Sequence, residues 1–275
     1  MPQKPDIIGT FSSTGKVFIF DRTRHPSDPP EDGKCRPEIE LQGHLKEGFG
    51  LSWSPMSEGN LLTASADKTI CHWYFLHIMY FSFKRMLLGT RTMIQFLGLL
   101  VMISRMMIWD MRKGSSQPVN SILAHSANAN CIGFSPSSDT VLATAGSDNV
   151  VNLWDLRNLN SKVHSLIGHE DEIRSLSWSP TEPTILASAG LDRRLLIWDV
   201  SRIGEHQSPE DAEDGPPELM FLHGGHTDLI SDLSWNLNRP WTMASVAEDN
   251  VCQIWQVAQN IYNIEEVPQS SEVKE

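Results

Sequence analysis

Residues 168–199 read GHEDEIRSLSWSPTEPTILASAGLDRRLLIWD, and the spacing inside this stretch decides the fold. His169 stands 29 residues before Trp198, with Trp178 at +9, Ser188 at +19 and Asp192 at +23. The same marks recur as His44, Trp53, Thr63, Asp67, Trp73; as His125, Phe134, Thr144, Asp148, Trp154; and as His226, Trp235, Ser245, Asp249, Trp255. A repeat of this length is one supersecondary unit that cannot bury its own apolar face, so copies must pack side by side. Within each copy the apolar residues fall in short runs, such as 185–188 and 195–198, broken by Ser-Pro, Gly or Asp turns. This pattern predicts strands, four to a copy, in an all-β chain.

The marked polar residues have a physical job in such a fold. Buried polar groups must find partners. A histidine that bonds both a carboxylate and a hydroxyl, with an indole N–H closing the set, ties the strands of one copy together. A catalytic reading of His, Asp and Ser is the alternative, but the same trio recurs four times at one spacing, which favours architecture. Through Gly43-His44 and the closing pairs Trp109-Asp110, Trp154-Asp155 and Trp198-Asp199, the chain resembles the WD40 family of β-propellers. Repeats in that family run about 40 to 45 residues with four strands per blade.

The chain has 275 residues, 40% hydrophobic and 20% charged, ordinary for one large globular domain. A formal net charge of −12 argues against direct, sequence-specific nucleic-acid binding through phosphate neutralisation and favours a basic partner. Cys35, Cys71, Cys131 and Cys252 show no paired spacing, and the last three fall in strand-like runs, so reduced, buried thiols in an intracellular protein are expected. No long apolar run follows the N-terminus, so no signal peptide is visible. No Gly-rich phosphate loop, paired zinc motif or nucleophile elbow appears, which argues against an enzyme, a metal site or a cofactor. His223 and His226 could be read as metal ligands, although His226 already serves as a mark of the repeat.

One insertion interrupts the repeats. Residues 205–218 carry six acids, three prolines and no Lys or Arg; a solvated loop is the plain reading. Residues 203–226, together with 47–53, 153–159 and 260–263, resemble the retinoblastoma-associated histone-binding WD40 subfamily. That resemblance implies a non-enzymatic nuclear subunit of chromatin assembly, acetyltransferase, deacetylase and Polycomb complexes, binding histones H4 and H3. It implies a groove for the first helix of histone H4, with Glu210, Asp211, Glu213 and Asp214 as its rim and Leu219, Phe221, Asn260 and Ile261 as contacts. An amphipathic basic helix can lay its apolar face in such a groove while its cations meet carboxylates. It also implies that Glu47, Glu172 and Glu248 take the basic tail of histone H3. The stretch Ala127-Asn128-Ala129-Asn130 departs from the family there, which has a glutamate before this strand.

The resemblance further implies an incomplete WD40 β-propeller. The family has seven blades; four clear repeats and fragments stand here over 1–257, with an aberrant segment at 74–105, an acidic insertion loop at 203–222, and a short C-terminal helix and acidic tail at 258–275. Met1-Pro2-Gln3 matches the middle of the family's first blade, so the family's long N-terminal helix has no counterpart and a propeller left open would expose strand edges.

Residues 74–105 hold no Asp or Glu and are crowded with Met, Phe and Leu. A membrane helix is one reading, but Arg91, Gln95 and Arg105 interrupt it and the cleanest run, 96–103, is far short of the roughly 20 residues needed to span. Codons favour another. Back-translating residues 84–104 and reading from the third base of each codon permits KDVAWNPYDDTVLGSVGDDK, which resembles a WD40 repeat. Met102 must end in G and Ile103 must begin AT, so the shifted codon is aspartate, six before Trp109, as Asp192 is six before Trp198. A permitted Trp falls at 89 and a permitted hydroxyl at 99, both on the marks. Residues 84 to about 105 thus read as a repeat translated out of frame, and 74–83 as retained intron. A generic adaptor for another partner, such as a ubiquitin-ligase substrate receptor, and a damaged gene product remain the alternatives.

Overall fold

The computed structural model describes residues 1–28, 30–48, 50–54, 58–67, 69–77, 80–85, 96–101, 104–110 and 119–263. The β-branched and aliphatic runs form strands in six antiparallel sheets, and the chain divides into two units, 1–124 and 125–275.

In the first unit, β1 (Ile7–Phe11), β2 (Lys16–Asp21) and β3 (Ile39–Gln42) make one sheet. A second holds β4 (Gly50–Trp53), β5 (Asn60–Ala64), β6 (Ile70–His77) and β7 (Tyr80–Arg85); a third holds β8 (Phe96–Val101), β9 (Arg105–Asp110) and β10 (Asn120–Leu123). Side chains alternate across each strand. Val17, Ile19 and Leu41 therefore turn to the same core as Leu61, Cys71 and Trp73.

The second unit repeats one sheet three times. Its first sheet is β11 (Ala129–Phe134), β12 (Val141–Gly146), β13 (Val150–Asp155) and β14 (His164–Ile167). The next is β15 (Ile173–Trp178), β16 (Ile185–Gly190), β17 (Leu195–Asp199) and β18 (Leu219–His223). The last is β19 (Ile230–Trp235), β20 (Thr242–Ala247) and β21 (Cys252–Gln256), followed by the four-residue helix α1 (Gln259–Tyr262). Successive sheets pack face to face. Ala143, Ala145 and Leu153 meet Leu176 and Trp178; Ala187, Ala189 and Ile197 meet Leu233 and Trp235. Alanines in the second strand let the large residues of the next sheet approach to packing distance. At Gly133 a Cβ would come within 3.2 Å of both Leu176 and Trp178, so a larger residue would make those side chains shift by a few tenths of an ångström.

The aromatics at +9 also bond across this interface. Trp178 donates its indole N–H to the carbonyl of Gly133 at 3.0 Å, and Trp235 donates to that of Ser177 at 3.0 Å. Each acceptor is the +8 residue of the preceding copy, although the acidic insertion makes the second step longer. Phe134 occupies the same mark without an N–H.

The fold is all-β, a series of antiparallel sheets, with three points of difference from the expected elements. The acidic loop ends at Glu218, because β18 begins at Leu219; the stretch 219–222 is strand. The C-terminal helix covers only Gln259–Tyr262, and residues 264–275 lie outside the described residues. Cys71 is buried and Cys131 half-buried, but Cys252 is exposed, since among the described residues no fourth strand lies beside β21. For the same reason Ile254 is 78% exposed where its counterparts Leu153 and Ile197 are 5% and 0%.

The unusual segment is extended. Residues 74–77 lengthen β6, 80–85 form β7, and β8 pairs with β9. Leu97 lies opposite Trp109, as Leu142 lies opposite Trp154 and Leu186 opposite Trp198. Leu99 therefore takes the backbone place that Thr144 and Ser188 hold. Position 103, where the shifted frame places aspartate, lies outside the described residues, as do 86–95. No helix among the described residues is long and apolar enough to cross a membrane.

Candidate protein-interaction site

The marked residues converge in each copy. In β11–β14, Trp154 donates its N–H to Thr144 Oγ1 at 2.9 Å, His125 Nε2 lies 2.9 Å from that same oxygen, and His125 Nδ1 lies 2.8 Å from Asp148. In β15–β18 the matching distances are 2.8 Å for Trp198 to Ser188, 2.7 Å for His169 to Ser188 and 2.7 Å for His169 to Asp192. One proton arrangement satisfies every group: indole N–H to hydroxyl oxygen, hydroxyl to Nε2, and Nδ1–H to carboxylate. The histidine is then neutral. Burial lowers the His125 pKa, outweighing Asp148, which raises it. Burial raises the Asp192 carboxyl, yet His169 and the N–H groups of Arg194 and Glu170 bring its pKa below the usual range.

The other two copies vary this arrangement. Thr63 accepts from Trp73 at 2.8 Å and lies 2.8 Å from His44, but His44 Nδ1 is 3.1 Å from Thr69 and 3.7 Å from Asp67. Asp67 instead accepts the hydroxyl and N–H of Thr69. In the last copy Ser245 accepts from Trp255 at 3.2 Å and sits 2.7 Å from His226. Asp249 turns to the Thr227 hydroxyl at 2.8 Å and the Val251 N–H, and the buried His226 Nδ1 has no hydrogen-bond partner. Every His, Ser, Thr and Asp of these sets is engaged in joining strands and loops of its own sheet. The WD40 family model (WD domain, G-beta repeat) matches residues 35–74, 116–155, 160–199 and 218–256, more than half of the chain, and each match contains one complete set.

The chain belongs to the WD40 family. Its repeats mark a protein-interaction scaffold, so the candidate sites of this WD40 chain are surfaces. Among the described residues no group of three or more His, Cys, Asp and Glu is placed to hold a metal ion. His223 stacks on Trp255 at 4.2 Å and lies 2.9 Å from Gln253 Oε1, a packing role.

The first surface is the acidic loop. Its six acids part into three kinds. Glu218 is buried and lies 2.9 Å from His164 Nε2, anchoring the loop to β14. Glu205 pairs with Arg202 at 2.9 Å. Glu210, Asp211, Glu213 and Asp214 are exposed on a 3-10 turn at Asp211–Glu213, and no Lys or Arg among the described residues pairs with them. Ser208 starts that turn, accepting the Asp211 N–H at 3.1 Å and donating to its carboxylate at 2.7 Å.

The loop feeds β18, where a register shift decides which side chains share a face. Phe221 pairs with Ile197 and Leu219 with Trp198, so Met220 is the extra residue. Alternation alone would put Leu219 and Phe221 on one face. The bulge breaks it: Met220 and Phe221 pack with Trp255, Ile261 and Tyr262 on one cluster, while Leu219 packs with Val200 and Ile203 on the other. Of the expected apolar residues, Phe221 and Ile261 pack against one core cluster, together with Met220, and Leu219 against the other. Asn260 is exposed on α1.

A further contributor, Trp241, carried no motif. It is 8% exposed, has φ of 61° and stacks on Tyr262 with ring centroids 4.4 Å apart and planes 6° apart. The left-handed region costs an ordinary residue roughly 1–2 kcal/mol. Gly59, which also stands 14 before its closing Trp, has φ of 75° and bears no such cost.

Within its own sheet, each of the other three expected glutamates takes part in the same kind of backbone hydrogen bond. Ala66 N–H donates to Glu47 O at 2.9 Å, Leu191 N–H to Glu172 O at 2.8 Å, and Glu248 N–H to Leu229 O at 2.9 Å. Each glutamate supplies one end of the bond joining the +3 and +22 positions of its copy. Glu47 and Glu248 are exposed, whereas Glu172 pairs with Arg174 at 2.9 Å and accepts from Asn130 at 3.1 Å. Asn130 itself is the bulged residue of β11.

Proposed function

We propose that this WD40 chain is a non-enzymatic histone-binding subunit of chromatin assembly and modifying complexes, acting in the nucleus, and that its acidic loop receives the first helix of histone H4. One observation carries the reading. Four exposed carboxylates without a cationic partner among the described residues lead straight into β18, whose Met220 and Phe221 share an apolar cluster with Ile261 of α1. Such a surface suits an amphipathic helix with Lys and Arg on one side and aliphatic residues on the other. The subfamily resemblance of residues 203–226 and 260–263 supplies the name of that helix. The same subfamily resemblance adds a second proposed contact, Glu47, Glu172 and Glu248 with the basic tail of histone H3; of these, Glu172 is already engaged by Arg174.

The test is calorimetric titration of the full chain with a synthetic peptide of the first helix of histone H4. Saturable binding is expected, falling at least about tenfold when Glu210, Asp211, Glu213 and Asp214 are all replaced by Lys, since each 1.4 kcal/mol lost is tenfold. Equal affinity of that variant, or capture of a degron peptide and no histone peptide, would sink the reading.

A further inference from the structure

We infer that Trp241 is a positioning residue for the apolar floor of this surface, holding α1 in the place where Ile261 can meet an incoming helix; the inference rests on the histone-helix reading for its partner. Among the described residues one turn of helix follows β21, and a four-residue helix is unstable by itself. At its ends, the Ile261 N–H bonds Ala258 O at 3.0 Å and the Asn263 N–H bonds Gln259 O at 2.9 Å. Ala258, at the N-cap, offers no side-chain bond. What fixes α1 is its attachment to one residue at two points. The backbone carbonyl of Trp241 accepts the Val257 N–H at 3.1 Å, just before the helix, and its indole lies flat on the Tyr262 ring at the helix end.

The carbonyl bond is general to the fold. Its counterparts run from Leu156 to Thr140, from Val200 to Thr184 and from Phe75 to Gly59. The ring is particular to Trp241. A buried Trp held at φ of 61° keeps a backbone that glycine would adopt freely, and it persists because the surrounding structure over-determines it. Strain retained beside a binding surface is the signature of preorganisation: a floor ordered before the partner arrives spares the partner the cost of ordering it.

Four full-length variants test this. Trp241→Gly relieves the backbone and deletes the stack; Tyr262→Ala deletes the stack from the other side; Tyr262→Phe keeps it; the fourth combines Trp241→Gly with Tyr262→Ala. Hydrogen exchange at the Ile261 and Asn263 amides is read first, because it needs no partner. Exchange at least about tenfold faster in Trp241→Gly and in Tyr262→Ala, with Tyr262→Phe like the parent, is expected; unchanged exchange overturns the inference. Titration with the histone H4 helix peptide is read second. Trp241→Gly and Tyr262→Ala should each weaken binding about tenfold, and their combination no more than either alone, because both remove one contact. Losses that simply add, or full affinity in Trp241→Gly, overturn it. A parent chain that binds no peptide while its variants show the exchange effect sinks the histone reading and leaves the positioning role of Trp241 intact. Should Trp241→Gly fail to fold, Tyr262→Ala against Tyr262→Phe carries both readouts.

Discussion

The indole N–H of Trp235 reaches the carbonyl of Ser177 at 3.0 Å, one full copy of the repeat earlier, across the packed face of two sheets. It holds although the acidic insertion lies between them, which places that insertion outside the sheet-to-sheet packing.

Trp235→Phe keeps most of the apolar area and deletes this bond. A net loss of about 0.5–1.5 kcal/mol in denaturant unfolding is expected. Trp178→Phe should behave alike, through Gly133. A loss near 4 kcal/mol would point to packing in place of the hydrogen bond.

Asp192 and Asp249 hold the same mark but different partners. Asp192 binds His169 Nδ1 at 2.7 Å, whereas Asp249 leaves His226 Nδ1 unpartnered. Asp192→Ala strands a buried histidine nitrogen and should cost about 1–3 kcal/mol. Asp249→Ala should cost clearly less. Equal losses, read from urea midpoints, would refute the distinction.

The pH dependence follows from shifts of one sign. Burial lowers the pKa of His125, and burial together with His223 lowers that of His226, below the ordinary 6.5. The unfolded chain therefore takes up protons first as pH falls below 6.5, and stability present above that pH is lost on descent through the folded values. Asp148 and Asp192, lowered from 3.8 despite the opposing effect of burial, add a second loss beginning near 3.8. Melting temperature should fall as pH drops below 6.5 and fall again below 4. A melting temperature that rises between pH 7 and 5 would contradict this.

Thiol labelling separates the cysteines by burial. Cys35 and Cys252 are exposed and should react with a maleimide within minutes, while Cys71 stays protected in the native state. Burial pushes the Cys131 thiol up to about 12, so it carries almost no thiolate at neutral pH and should also resist. Peptide mapping after brief labelling reads all four.

Arg193 has φ of 63°, as do Asn149 and Asn250 at the equivalent place after the aspartate mark. Asparagine tolerates that region and arginine does not. Arg193→Asn should stabilise the chain by about 0.5–1 kcal/mol, with no change in strand content by circular dichroism.

Much of the fold was legible because the repeat marks are chemical necessities. A buried hydroxyl that must accept from an indole and bond a histidine can sit at only one place relative to both, so the spacing of Ser188, His169 and Trp198 states the strand register before any coordinates. The same register persists for Leu97 and Trp109, where the polar marks have been lost. The surface was only partly legible. The sequence marked an acidic stretch, but nothing in it separates the buried Glu218 from the exposed Glu210.

By itself, then, the sequence determined the repeat, the all-β class, the strand register and the identity of the tethering side chains, because each of those depends on spacing along one chain. Tertiary structure alone decided which acids remain free, that Met220 and not Leu219 shares a core cluster with Phe221 and Ile261, that His226 loses its aspartate, and that Trp241 takes a left-handed backbone under Tyr262. Those outcomes turn on bulges, burial and ring contacts between segments distant in sequence, and no local spacing encodes them.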